Sequence, residues 1–318
     1  MSETAVKPAF GVDLITFYEP SFWGVENRDA LVERSERDPR WFWDRVLESV
    51  KAAGIGGIEV CFPPGTWQSA VAAYGSGKEF AGVLASHDLQ LISGFFDAFE
   101  MSDDPLSSSG QQEIIESARA YARFLQESGG HVLVAGMPVL EREAAGMTSF
   151  LDLDYAKAVA DVINRLGEAT RREGAQLALH TEMGSVFCTR RDVDLFMLLT
   201  DPEYVGMCPD TAHITLGGSN PIDVLDAHFE RIIITHWKDA TGPFTTPIPP
   251  GANRHPYYAT YFRRVGAGAV DWFTWARRLR DVGYSGWTIL ELDEGHDPIG
   301  EMIAARDFVE TALGGIRT

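Results

Sequence analysis

LALHTE (177–182), VGMCPDTAH (205–213), IIITHWKD (232–239) and WTILELDE (287–294) decide how this chain reads. Each is a short apolar run that closes on groups able to bind a metal ion or move a proton. Those groups are His180 and Glu182, Asp210 and His213, His236 and Asp239, then Glu291 and Asp293. A continuous apolar run suits a strand buried on both faces, as strands of parallel sheets are. Four such runs, with acids or imidazoles at the same end, describe parallel strands delivering ligands to one point.

The rest of the chain reads as the scaffold that makes those ends converge. Apolar runs at 10–17, 57–62, 91–96 and 131–136 supply four earlier strands. Helical patterns follow the eight strands in turn, at 40–53, 78–87, 111–128, 154–173, 191–199, 222–228, 270–282 and 299–313. Strictly alternating strands and helices require a parallel sheet with crossover helices. Eight units in 318 residues give a single α/β domain, a closed (β/α)₈ TIM barrel. Residues 1–8 read as a loose N-terminal arm, and 240–268 as a long Pro- and Gly-rich loop over the active face. No GxGxxG motif opens the first unit, so nothing supports a dinucleotide fold.

Composition narrows the function. With 27 Lys+Arg against 46 Asp+Glu the net charge is -19, which repels phosphates and excludes nucleic acid and anionic membrane as partners. Three cysteines, Cys61, Cys188 and Cys208, lack any CxxC spacing and suit a reducing compartment. No signal core or eighteen-residue apolar run occurs. The expected location is cytoplasmic.

In such a barrel the active site lies at the C-terminal ends of the strands, where the acids and imidazoles sit. Three carboxylates and one imidazole from four successive strands form a hard, oxygen-rich site. It suits one divalent ion, Mn²⁺ first, then Co²⁺ or Mg²⁺, better than structural zinc. Such an ion, holding a carbonyl and a neighbouring hydroxyl, acidifies the adjacent C–H, and a nearby carboxylate or His180 removes the proton. His87, His131 and His228 read as structural, His255 and His296 remain open, and Lys238 reads as facing the site. Asp239 is either a substrate contact or half of an ion pair, and Glu59 a weak candidate for reaching the site. Trp23, Phe96 and Trp237 are expected either to wall a sugar ring or to belong to the core.

The blocks LALHTEMGS, DLFMLLTDPEYVGMCPDTAH, ERIIITHWKD, VGAGAVDW and GYSGWTILELD resemble the xylose isomerase-like sugar phosphate isomerase/epimerase family, closest to its inosose dehydratase-like members. The resemblance covers mainly 175–310. It implies one divalent metal on Glu182, Asp210, His236 and Glu291, with Glu182 and Glu291 doubling as acid and base and His213 contacting substrate. The sequence departs from the pattern at Glu182, where inosose dehydratases often carry a second His, and at HWKD in place of HLKD. The aromatic loop suggests a larger or aromatic-bearing substrate, or a partner surface.

The expected activity is a metal-dependent lyase acting on a keto-cyclitol or keto-sugar through a metal-held enediolate. A sugar isomerase or epimerase would use the same site. A third reading is the catalytic subunit of a C-glycoside deglycosidase acting on a 3-keto glycoside beside a small second subunit. A homo-oligomer is also expected of the family. A metal-dependent nuclease conflicts with the charge, and a binding-only protein would keep its function after Glu182→Gln or Glu291→Gln.

Overall fold

The computed structural model describes residues 10–140, 151–246, 248–249, 255–293, 295–312 and 314. The expected N-terminal arm lies outside these. All eight expected strands form: β1 (Phe10–Asp13), β2 (Gly57–Val60), β3 (Gln90–Phe96), β4 (Val132–Ala135), β5 (Gln176–His180), β6 (Val205–Cys208), β7 (Thr235–Trp237) and β8 (Thr288–Leu290). Every pairing among them is parallel, in the order β6-β5-β4-β3-β2-β1-β8-β7. The ring closes where β7 returns to β6. There Ile233 N–H donates to the Met207 carbonyl at 3.0 Å, and His236 N–H to the Pro209 carbonyl at 3.1 Å.

The helices cover the outside of this ring. Leu153–Arg172 buries Val159, Ile163 and Leu166 on one stripe, and Pro39–Ala52 buries Phe42, Trp43, Val46, Leu47 and Val50. Helical spacing of apolar residues gives one face to bury, and the strands supply the opposing surface. Alternation along each strand then decides which side chains enter the barrel. On β7, His236 points inward. Trp237 points outward, fully buried, and stacks on Trp272 at 5.0 Å.

Five short helices among the described residues escape the sequence pattern: Pro20–Trp23, Arg28–Arg37, Trp67–Tyr74, Thr211–Leu216 and His255–Tyr258. Capping carries more weight in them than a long apolar stripe. Asn27, Thr66 and Asp210 each accept a backbone N–H of the first turn. The first strand stops at Asp13, short of the expected residue 17, because the Asp13 carboxylate accepts the Ile15 N–H at 2.7 Å and turns the chain.

The loop after β7 is more ordered than its composition suggests. A two-stranded ribbon pairs Asp239–Ala240 with Phe262–Arg263. Asp239 is the anchor, accepting from the N–H groups of Gly266, Gly268 and Val270 at 2.9–3.1 Å and from Trp272 Nε1 at 2.7 Å. A side chain at Gly268 would collide with that carboxylate. Asp239 is therefore a structural group rather than a substrate contact.

Candidate active site

The C-terminal ends of β5 to β8 bring His180, Asp210, His236 and Glu291 together in the barrel mouth. His180, Asp210 and His236 each place a donor atom within 4.8 Å of the others. Asp210 caps the helix Thr211–Leu216 with Oδ1, which accepts His213 N–H at 2.8 Å, and leaves Oδ2 towards His180 Nε2, 3.8 Å away. Glu291 behaves alike. Its Oε1 accepts from Lys238 Nζ at 2.7 Å, while Oε2 lies 2.9 Å from His236 Nδ1. Asp210 Oδ2, Glu291 Oε2 and both nitrogens of His180 and His236 are buried without an aligned hydrogen bond. Orphaned buried polar atoms are costly. Four of them, His180 Nε2, Asp210 Oδ2, His236 Nδ1 and Glu291 Oε2, turn towards one another from four strand ends, a donor set whose chemistry fits a divalent cation.

Each imidazole is also backed by a second carboxylate. His236 Nε2 lies 3.0 Å from Glu59 Oε1, and His180 Nδ1 lies 3.1 Å from Glu182 Oε2. Glu59 is held by Ser93 Oγ at 2.5 Å and is fully buried behind the site. Burial opposes the charged ring of His180, but Asp210 and Glu182 outweigh it and push the imidazole up to about 10. His236 rises well above the ordinary range, its burial outweighed by Cys208 and Glu59. Asp13 is pushed well above the usual carboxylate range, first by burial and then by the charges of Glu291 and Glu59.

Glu182 stands beside this convergence, with Oε2 against His180 and Oε1 3.5 Å from His213 Nε2. Burial opposes its ionisation, yet His213, His180 and Lys238 hold its carboxyl below the usual range. His213 Nδ1 accepts the Met183 N–H at 3.0 Å, which assigns the ring's proton to Nε2, the side facing Glu182. Lys238 is buried between Glu291 and Asp293, 2.7 and 2.5 Å from their oxygens, with Phe262 over its ammonium at 3.8 Å.

These groups line a cavity of about 210 Å³. His180, Glu182, His213, His236, Lys238 and Glu291 all face it, as the sequence leads one to expect, while Asp210 lies buried behind them. Trp23 and Trp237 do not. Trp23 is buried in a stack with Phe42 and donates its Nε1–H to the Phe17 carbonyl. Trp237 donates to Thr235 Oγ1 on the outer face of the barrel. Strand alternation likewise turns Phe96 outward and Phe95 inward. The apolar wall is Ile15, Phe62, Phe95 and Tyr258. His296 forms no part of it, whereas His255 does.

Asp13, Arg28 and Glu100, not singled out from the sequence as site residues, also line the cavity, as does Tyr258, one of the aromatics of the covering loop. Asp13 carried a usable signal, an acid ending a strand. Arg28 opens a short helix, Glu100 lies in a turn and Tyr258 ends a short helix of the covering loop, positions that no apolar periodicity marks. The loop aromatics Phe244, Tyr258 and Phe262 pack on Met183, Ala212 and Leu216 as a small core of their own. That accounts for their number without a bulky substrate.

The model of the xylose isomerase-like TIM barrel family matches residues 47–311. The chain belongs to that family. Among relatives, an inosose dehydratase from Geobacillus thermodenitrificans is 26% identical over 247 residues, covering 73% of this chain and 79% of the relative. Among solved structures, a probable 3-DHS dehydratase from Bacillus anthracis superposes with a TM-score of 0.68 at 14% identity, covering 95% of this chain and 98% of the other. The IOLI protein with a bound zinc atom gives 0.66 at 17% identity, covering 97% and 98%. The family match thus reaches into the first half of the chain, where only strand rhythm is legible in the sequence. No helix among the described residues is long and apolar enough to cross a membrane.

Proposed function

We propose that this protein dehydrates a small keto-cyclitol or keto-sugar, removing a proton next to a carbonyl and then a neighbouring hydroxyl. The observation that carries the reading is the set of orphaned donor atoms of His180, Asp210, His236 and Glu291 beside the ionised Glu182, all at one small cavity. The relative named inosose dehydratase supports the substrate class, and as an enzyme of this family the chain is a lyase or an isomerase/epimerase. A volume of about 210 Å³ is below the roughly 300–1,000 Å³ of pockets for drug-sized ligands. It suits a single ring better than a glycoside with its aglycone.

His180, Asp210, His236 and Glu291 would hold a divalent ion, with His180 taking the place expected for Glu182. Two nitrogens and two oxygens make the set softer than three carboxylates and a single imidazole, which moves Co²⁺ and Zn²⁺ up beside Mn²⁺. The zinc-bearing neighbour is in keeping with this. The bound ion supplies Lewis-acid polarisation of the substrate carbonyl.

The remaining steps belong to side chains. Glu182, ionised and at the cavity wall, is the base. His213 presents Nε2–H as a neutral donor to a substrate oxygen, because its Nδ1 is already accepting from Met183. Lys238 fixes the orientation of Glu291 and places positive charge beside the developing enolate oxygen. Glu59 and Glu182 orient the two imidazoles, the usual task of a carboxylate behind a metal-bound histidine.

The test is incubation of the protein, reconstituted separately with Mn²⁺, Co²⁺ and Zn²⁺, with inososes, ketohexoses and 3-keto glycosides in D₂O. The expected result is deuterium at the carbon next to the carbonyl and a dehydrated product from an inosose or ketose. An epimer in place of that product assigns the isomerase outcome to the same site. Absence of both exchange and product across the panel refutes the reading.

A further inference from the structure

Loss of water from a keto-polyol needs two proton movements. One proton leaves the carbon beside the carbonyl. Another must reach the departing hydroxyl, because hydroxide is a poor leaving group. Glu182 performs the first task, on the wall made by β5. The second requires a donor elsewhere on the same cavity, and the covering loop supplies one.

His255 opens the short helix His255–Tyr258 and lines the cavity with Tyr258. Its Nε2 lies 2.8 Å from Asp293 Oδ2, and the other oxygen of Asp293 is 2.5 Å from Lys238 Nζ. The ring packs against Tyr258 and Phe262, with centroids at 5.8 and 6.4 Å. A carboxylate on one ring nitrogen fixes the orientation of the imidazole.

The other proton-bearing groups of the cavity are less suited. Arg28 carries a guanidinium, which does not release protons near neutrality. Lys238 is clamped by two carboxylates. His213 has one nitrogen committed to the Met183 N–H, so its only proton is that of a neutral ring. Tyr258 is a weak acid further weakened, first by burial and then by the charges of Glu182 and Asp293. Imidazole is the side chain that exchanges its proton in the physiological range, and His255 is the cavity imidazole standing apart from the strand-end donors.

We propose that His255, seated on Asp293 at the cavity mouth, is the general acid that protonates the departing hydroxyl. The inference rests on the dehydratase reading above and adds a residue that lies outside the strand-end blocks. Glu182 takes the proton from carbon, and the C–H electron pair is held as an enolate. As the enolate collapses to the C=C bond, the C–O bond breaks with its pair on oxygen. The His255 proton goes to that oxygen, and water leaves. Glu182 ends protonated and His255 neutral, and exchange with solvent restores both.

The test uses the full-length, metal-reconstituted protein and two substrates: an inosose, and its analogue with fluorine in place of the departing hydroxyl. Fluoride leaves without needing a proton. In His255→Gln and His255→Asn, water loss should fall by about 10²–10⁴-fold, the usual worth of a general acid. Deuterium exchange beside the carbonyl and fluoride release should stay within about threefold of the parent in at least one variant, by the same criterion. If both variants slow fluoride release as much as water loss, the proposal is overturned. If Glu100→Gln shows the selective loss and the His255 variants do not, Glu100 is the acid instead. A parent enzyme that exchanges but only epimerises also overturns it, while leaving proton abstraction intact. A parent that neither exchanges nor eliminates refutes the functional reading itself.

Discussion

At Asp210 and Glu291 one carboxylate oxygen serves the fold and the other is left open. At Asp239, one residue beyond Lys238, both oxygens are taken up by backbone N–H groups and the Trp272 indole. The first arrangement belongs to the strand rim and the second to the root of the covering loop. All three acids are buried at neighbouring strand ends, so residue type and burial alone do not separate a ligand from a strut. What separates them is the partner of the second oxygen. The rim is built to bind something, and the loop root is built to hold the roof in place.

Substitutions that act on one region and spare the other test this division. The largest effect is expected at the rim. Asp210→Asn removes the orphaned charge while leaving an oxygen able to cap the helix. Metal content measured by mass spectrometry should approach zero, and turnover should fall by about 10³-fold or more, the scale of several kcal/mol of lost Lewis-acid stabilisation. A variant that keeps its metal would mean the cation sits elsewhere.

Asp239→Asn should act oppositely. Losing charge-assisted bonds to the loop costs about 1.5–3 kcal/mol, read by denaturant unfolding. KM should rise as the covering loop loosens, with metal affinity unchanged. An equal loss of metal would erase the distinction between rim and root.

Glu59→Gln probes the layer behind His236. Metal affinity should weaken by about 10–100-fold, as for other carboxylates behind metal-bound histidines, with KM little altered in metal-saturated enzyme. Competition titration against a chromophoric chelator reads this directly.

The smallest effect concerns protons. His180 is raised from 6.5 to about 10 in the metal-free protein. Its contribution to metal-free stability is complete below about pH 6.5 and lost as pH rises towards about 10. A bound metal needs neutral imidazoles, so metal addition near pH 7.5 should release about two protons, from His180 and His236. Metal affinity should therefore increase with pH across the interval in which metal-free stability declines. Calorimetric titration in buffers of different ionisation enthalpy counts the protons.

The same contrast explains how far the sequence could be read. The rim was legible because β5 to β8 are apolar runs ending in ligand-type residues, and strand order forces such ends together. Alternation within HTE was not resolved: His180 ends the strand and points at the site, whereas Glu182 lies two residues on, after the chain has begun to turn. The expected ligand set therefore named Glu182, whereas the function proposed above gives that place to His180. Trp23 and Trp237 look like sugar-stacking residues by type, but one packs in a helix stack and the other points away from its inward neighbour His236. Arg28 reaches the cavity from the start of a short helix and Glu100 from a turn, while His255 and Tyr258 come from the covering loop, held by the Asp239 anchor that only the folded chain reveals.

The proposed function divides the labour at β5: His180 binds the metal and Glu182 moves the proton. Metal stoichiometry and solvent-deuterium exchange, measured together in His180→Ala and Glu182→Gln, test it most directly. Glu182→Gln should hold about one equivalent of metal, as for an intact site, yet lose exchange, whereas His180→Ala should lose the metal. Loss of metal from Glu182→Gln with retention in His180→Ala would contradict it.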